Sequence, residues 1–338
     1  MISTKNKIQE GRPTMITDKN LDLFNYAAEK PFSQKHLLGL QDYSADEIYQ
    51  VIALGLKLKD ELKNDIPHPI LKGKTLAMIF SKSSTRTRVS FEVGIFQLGG
   101  LGLFLNSNDI QLGRGETISD TAKVLSRYVD GIMIRTYKQS DVDDLAKYGS
   151  VPVINALTDL LHPCQALADL MTVYEKKNKL AGLKMAYLGA GNNMAHSLMI
   201  ACSKVGMHFS IGCSPGYEPN EDIVAMAKQN ALSSGSEINV IHEPVEAIKD
   251  ADVVYTDVWS SMGQEKEFEV RQKALSTYQV NSDLFSYANP EAIFEHCLPA
   301  HRGEEVTKEI IDGPNSVVFD EAENRLHVQK AVMALLMK

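Results

Sequence analysis

The chain has 338 residues, 44% of them hydrophobic, and carries 43 acidic against 35 basic side chains for a net charge of −8. That length and apolar content suit two packed domains of roughly 150 residues each. The acidic balance, with no cluster of lysine and arginine, argues against a nucleic-acid footprint, and four scattered cysteines without a Cys-x-x-Cys pair argue against a disulfide framework or a structural zinc site.

The stretch Met1 to Asn20 is polar and lacks the apolar core of a signal peptide, and no run approaches the ~20 apolar residues of a spanning helix, so a cytoplasmic, reducing location is expected. From Ala45 to Lys63 apolar residues recur at helical spacing, and Gly73-Lys74 opens a strand ending at Phe80. The pattern then alternates: helix 86–98, strand 101–105, helix 117–128, strand 131–135, helix 141–147, strand 151–155. Such alternation predicts a parallel sheet with right-handed crossovers.

His162-Pro163 starts a long helical pattern, Cys164 to Asn178, which carries the chain to strands near 184–189, 208–213, 238–241, 252–256 and 293–297, with helices such as 192–205 and 221–233 between them. A last helical run, Glu321 to Met337, is placed to fold back on the first domain. The predicted class is α/β, with two doubly wound parallel-sheet domains joined by a long helix and a C-terminal helix returning to the first. The expected division is an N-terminal extension 1–35, a first domain 36–165 with helix 321–338, and a second domain 166–320.

Ligands of open α/β sheets bind beyond the carboxyl ends of strands, and the residues that stand out sit at such ends. Ser84-Thr85-Arg86-Thr87-Arg88 lies between a strand and a helix. There free backbone N–H groups, the helix dipole, short hydroxyls and planar guanidinium forks favour a phosphate; an N-capped helix with solvated arginines is the plain alternative. Arg135 closes a strand, and Gln111 lies in the polar, glycine-bearing loop Asn106 to Glu116, which is long enough to act as a lid or reach a neighbouring subunit.

His162 precedes a proline suited to the first helical position, in a field that disfavours imidazolium; Gln165, one residue further in than Cys164, offers an amide to the same ligand. Gly189-Ala190-Gly191-Asn192-Asn193 follows a strand, but Met194 replaces a third glycine and Ser214 stands where a ribose-binding acid belongs. A glycine turn admitting some other ligand is preferred to dinucleotide binding, and Asn193 becomes an amide contact. Asp257 ends an apolar run before Trp259-Ser260-Ser261-Met262-Gly263, and is the obvious carboxylate for a substrate ammonium. His296-Cys297-Leu298-Pro299 ends the last strand; its spacing supplies too few ligands for a metal, and the cysteine reads either as buried and inert or as a polarisable sulfur beside a reacting amine.

In their order and spacing, Ser84-Thr85-Arg86-Thr87-Arg88, His162-Pro163-Cys164-Gln165, Asp257 to Gly263 and His296 to Pro299 resemble the ornithine carbamoyltransferase family, from about residue 36 to the end. The resemblance implies transfer of a carbamoyl group from carbamoyl phosphate to the side-chain amine of L-ornithine, without metal or organic cofactor. It implies that Ser84, Thr85, Arg86 and Thr87 hold the phosphate, and that Arg135, His162, Gln165 and Arg325 contact the carbamoyl end. Around ornithine it puts Asn193, Asp257, Ser261, Met262, Cys297 and Leu298. It further implies a homotrimer or multiple of trimers in which Gln111 enters the adjacent site. The same chemistry on another amine, such as putrescine, is the alternative.

Overall fold

A computed structural model describes residues 21–111, 115–260 and 268–338. Ser44 and Glu47 form a capping box that starts helix Ala45–Lys63, and its Ile48, Val51, Ile52 and Leu56 face inward. The chain then enters strand β1 (Thr75–Phe80) and helix Thr85–Gln97. Strands β2 (Leu101–Asn106), β3 (Gly131–Arg135) and β4 (Val153–Leu157) follow, with helices Ile118–Leu125 and Gln139–Tyr148 between them. The strands pair parallel in the order β2-β1-β3-β4.

Helix Pro163–Lys177, almost wholly buried along its first three turns, leads to the second sheet. That sheet contains β5 (Lys184–Leu188), β6 (His208–Gly212), β7 (Ile238–Ile241), β8 (Val253–Thr256) and β9 (Ile293–Glu295), all parallel, in the order β7-β6-β5-β8-β9. The expected fold class is therefore present, although some bounds differ. Strand β4 begins two residues later than expected because Pro152 has no N–H for the ladder. Strand β9 stops at Glu295 because the chain turns sharply through Leu298, whose φ of 56° is left-handed.

Helix Val318–Leu336 starts three residues before the predicted run and packs against helices Ala45–Lys63, Thr85–Gln97 and Pro163–Lys177. One apolar core runs from Met78 and Ile154 of the first sheet through Leu167 and Leu170 to Met185 and Phe209 of the second. Residues 21–35 pack against helices Ala45–Lys63 and Pro163–Lys177: the Tyr26 hydroxyl donates to Asp46, and Leu23 is buried with its N–H donating to the Tyr174 hydroxyl at 2.8 Å. Leu37 forms a parallel bridge to Ile154.

Each sheet has one place where the chain reverses its direction of travel across the strands. In the first it lies between β1 and β3, in the second between β5 and β8. Crevices for ligands open at such points.

Candidate active site

Both reversal points face a single cleft of about 1230 Å³, lined by residues 82–87, Arg135, His162, Gln165, 190–194, 257–260, 297–299 and Arg325. Single small-molecule pockets typically span ~300–1,000 Å³, so the space admits two small substrates together. No helix among the described residues is long and apolar enough to cross a membrane.

The wall built by the first domain is cationic. Ser84 caps helix Thr85–Gln97: its Oγ accepts from the Thr87 N–H at 3.2 Å and donates to Thr87 Oγ1 at 3.1 Å. Arg325 reaches the same oxygen from the C-terminal helix, Nη2 to Oγ1 at 3.2 Å, which leaves the proton of the buried Thr87 hydroxyl available to a ligand. Arg86 Nη2 donates across the cleft to the Leu298 carbonyl at 2.5 Å. Arg135 is buried and its Nε has no partner. Burial, then the guanidinium groups of Arg325 and Arg86, push Arg135 down to about 10, so it remains cationic at neutral pH. An arriving dianion relieves that repulsion.

His162 lies at the N-terminus of its helix with Pro163 at the first position, as expected, and its backbone N–H donates to Ser197 Oγ at 2.7 Å. Its imidazole is held well below the ordinary histidine range, and the cause is burial first, then Arg325, Arg135 and Arg86. The helix field anticipated from sequence is not the main reason. The ring is a neutral hydrogen-bonding group whose Nδ1 is unpartnered.

The sequence leaves Gln165 open between donor and acceptor, and its neighbours decide. Its amide nitrogen donates to Asp169 Oδ1 at 2.7 Å and Glu321 Oε1 at 2.9 Å, so only Oε1 remains, accepting from Arg325 Nη1 at 2.6 Å. Asp169, Glu321 and Glu295 are fully buried together. Burial raises all three carboxyls, and their mutual repulsion raises Glu295 and Glu321 further. An acid cluster whose two glutamates are raised furthest, and whose Asp169 is pushed up to about 7, thus orients the amide while carrying little charge to cancel the cations beside it.

The opposite wall, built by the second domain, is an acceptor. Asp257 follows β8 and takes hydrogen bonds from Asn192 Nδ2 at 2.8 Å, the Val258 N–H at 2.8 Å and Cys297 Sγ at 3.1 Å. Burial and the Asp257 carboxylate push the Cys297 thiol well above its usual range, so it stays protonated and is no nucleophile. Asn193 begins helix Asn193–Val205 and donates to the Thr158 carbonyl at 2.7 Å.

Ser84, Thr85, Arg86, Thr87, Arg135, His162, Gln165, Asn193, Asp257, Cys297, Leu298 and Arg325 all line this cleft. Gln111 is exposed and does not line it. Ser261, Met262 and residues 1–20 lie outside the described residues, as does Gly113 of the loop that carries Gln111. The glycine turn 189–191 ends at the cleft, and at Gly191 the chain itself also comes close, since a Cβ there would lie 2.2 Å from the Pro219 nitrogen.

Two residues of consequence were missed. Lys82 is buried in the cleft, bonds Asp159 and sits 4.3 Å above the Tyr137 ring; its position between a strand end and the Ser-Thr-Arg run was the available signal. Asn192 caps its helix by accepting from Met194 and Ala195 N–H groups while holding Asp257. Nothing in the sequence separated it from Asn193.

Residues 35–175 match the family described as aspartate/ornithine carbamoyltransferase, carbamoyl-P binding domain. Residues 181–336 match its Asp/Orn binding domain. Over 303 residues the chain is 59% identical to an ornithine carbamoyltransferase of Thermococcus kodakarensis, covering 90% of this chain and 96% of that one. A protein of Pyrococcus furiosus named as an anabolic ornithine carbamoyltransferase gives the same identity and coverage. A solved ornithine carbamoyltransferase structure from Pyrococcus furiosus superposes with a TM-score of 0.89 at 58% identity, covering 91% of this chain and 98% of that chain.

Proposed function

The chain belongs to the aspartate/ornithine carbamoyltransferase family, and on that premise we propose how its cleft transfers the carbamoyl group of carbamoyl phosphate to the side-chain amine of L-ornithine, giving L-citrulline and phosphate. The observation that carries the assignment of roles is the pairing of a cationic wall with a wall presenting Asp257 across one cleft. Carbamoyl phosphate brings a doubly charged phosphate, and ornithine brings two ammonium groups and one carboxylate.

The first domain, 36–165 with helix 321–338, binds carbamoyl phosphate. Ser84, Thr85, Arg86 and Thr87 hold the phosphate at the helix N-terminus, and Arg135, His162, Gln165 and Arg325 surround the carbamoyl end. The second domain, 166–320, binds ornithine through Asn193, Asp257, Ser261, Met262, Cys297 and Leu298. Placement of Asp257 and the Cys297 sulfur on one hydrogen bond suits a pocket that receives an amine.

The ornithine side-chain ammonium first loses a proton, and the freed lone pair forms a C–N bond to the carbamoyl carbon. The oxyanion of the tetrahedral intermediate receives charge from Arg135 and hydrogen bonds from neutral His162 and Thr87. Collapse breaks the bond to the bridging oxygen, and phosphate leaves with the electron pair onto Arg86 and its helix terminus, taking up the second proton that the newly bonded nitrogen sheds. One such donor is typically worth ~3 kcal/mol, so charge stabilisation and alignment of two substrates account for the rate without a side-chain nucleophile.

The active assembly is a homotrimer or a multiple of it. Val89 and Phe96 on helix Thr85–Gln97 and Leu101 and Leu103 on the adjacent edge strand β2 are exposed, up to 76% at Phe96, and form an apolar face beside the segment carrying Gln111. A face of that kind on a sheet edge suits burial against another copy. The working location is the cytoplasm, which agrees with four unpaired cysteines.

The deciding experiment measures carbamoylated product with ornithine, N-acetylornithine, putrescine and aspartate in turn. Ornithine is expected to be the substrate used. Putrescine turning over as well as ornithine would overturn the reading of Asp257.

A further inference from the structure

The carbamoyl group ends in an NH2 with two protons, and in a closed cleft each needs an acceptor. The surrounding wall consists mainly of donors. Two acceptors stand out: Gln165 Oε1, already bonded to Arg325, and the Leu298 carbonyl, bonded to Arg86. Arg86 belongs to the phosphate cradle, so this carbonyl lies one guanidinium away from the phosphate, at the distance where the carbamoyl group follows. When phosphate takes Arg86, the carbonyl is released to the substrate.

Its aim is not set by local preference. Leu298 has a φ of 56°, a left-handed conformation that a leucine adopts only when its surroundings impose it. The Leu298 N–H is held by the His296 ring, donating to its Nδ1 at 2.9 Å. A backbone N–H can only donate, so this nitrogen carries no proton and the ring proton is on Nε2. That Nε2 faces Glu305 Oε1 at 3.1 Å. The same carboxylate oxygen accepts the His301 N–H at 2.6 Å, and both His296 and Glu305 are fully buried.

We propose that Glu305 is a positioning residue for carbamoyl transfer: through His296 it holds the Leu298 carbonyl where the carbamoyl amino group finds its acceptor. Without an acceptor at Glu305 the proton is free to move to Nδ1, where it opposes the Leu298 N–H and the turn loses its brace. The proposal rests on reading the cleft as a carbamoyl phosphate site.

The test compares two probes on the full chain by calorimetry: inorganic phosphate, which has no amino group, and phosphonoacetamide, which keeps both the anion and the NH2. In Glu305→Ala, phosphonoacetamide is expected to bind about tenfold or more weakly while phosphate stays within about twofold of the parent. Glu305→Gln, which retains an acceptor oxygen, should restore most of the loss. Equal weakening of both probes would reduce Glu305 to a structural role, and no weakening of either would remove it altogether. A parent that binds neither probe would instead sink the cleft reading beneath it. If the alanine variant does not fold, nitrogen NMR of His296 in the parent decides: a proton found on Nδ1 overturns the relay, and one found on Nε2, with normal probe binding by Glu305→Gln, upholds it.

Discussion

The two walls of the cleft solve opposite electrostatic problems with opposite means. On the wall that carries the Ser-Thr-Arg turn, Arg86 and Arg325 donate to neutral acceptors and Arg135 lies beside them, while burial raises the carboxyls of Asp169, Glu295 and Glu321 behind Gln165. On the second-domain wall, Asp257 is surrounded by three donors that satisfy it without a cation. Charge is thus left uncompensated on the wall proposed for the phosphate dianion, and a hydrogen-bonded carboxyl group without a cationic partner stands on the wall proposed for the ammonium. Similar sheets carry both, and the difference lies in what each strand end presents.

The largest effect that can break this contrast is on the cationic side. Arg86→Ala and Arg135→Ala are each expected to lower citrulline formation by about a thousandfold or more, with a melting temperature close to the parent's, because both groups face ligand charge rather than the core. Near-normal turnover in either purified variant would remove the cradle. Asp257→Asn comes next. Loss of the anion should raise the ornithine KM by roughly a hundredfold while carbamoyl phosphate binding persists, an energy on the scale of a charged hydrogen bond. Equal ornithine saturation in variant and parent would show that the carboxylate is not the recognition point.

His162→Gln should lower kcat by about ten- to a hundredfold and keep the shape of the pH profile. Since the imidazole is already neutral, rate rises with pH only through deprotonation of the ornithine amine. An acid limb near pH 6.5 that vanishes in the variant would contradict the neutral ring.

The smallest effect is the sharpest contrast with Asp257. Glu321→Gln replaces an acid that is already uncharged, so carbamoyl phosphate binding should change less than about threefold. Its stability has a definite sign. A carboxyl whose folded pKa is raised favours folding below its unfolded value and loses that contribution as pH rises, so the parent's melting temperature should fall more than the variant's between pH 5 and pH 8. A variant that declines as steeply as the parent would mean that Glu321 is ionised.

What was legible in the sequence follows the same geometry. Ser84 to Arg88, Arg135 and Asp257 sit where a strand pattern ends, and a strand end in a doubly wound sheet is a prediction of place as well as of type. His162 was legible through Pro163 beside it, although the reason for its neutrality was not, because Arg325, Arg135 and Arg86 meet it only after folding. The acid cluster could not be read, since Asp169, Glu295 and Glu321 come from three separate elements. At Gly191 the closeness of the Pro219 backbone could not be read either, because a glycine that admits a neighbouring loop looks the same in sequence as one that admits a ligand, and Gly191 also lines the cleft. The link from Glu305 to Leu298 escaped for another reason: it runs through ring tautomer and backbone angle, which leave no periodic trace.

Helix Val318–Leu336 ties the two walls of the cleft together. Its Arg325 reaches Thr87 and Gln165, while four residues earlier its Glu321 accepts from the backbone of His296 in the second domain at 2.8 Å. Because this helix is made after everything it joins, a ribosome emits both sheets before any competent site exists. Catalytic readiness therefore arrives late in translation, and a nascent chain halted before Arg325 should neither hold carbamoyl phosphate nor spend it.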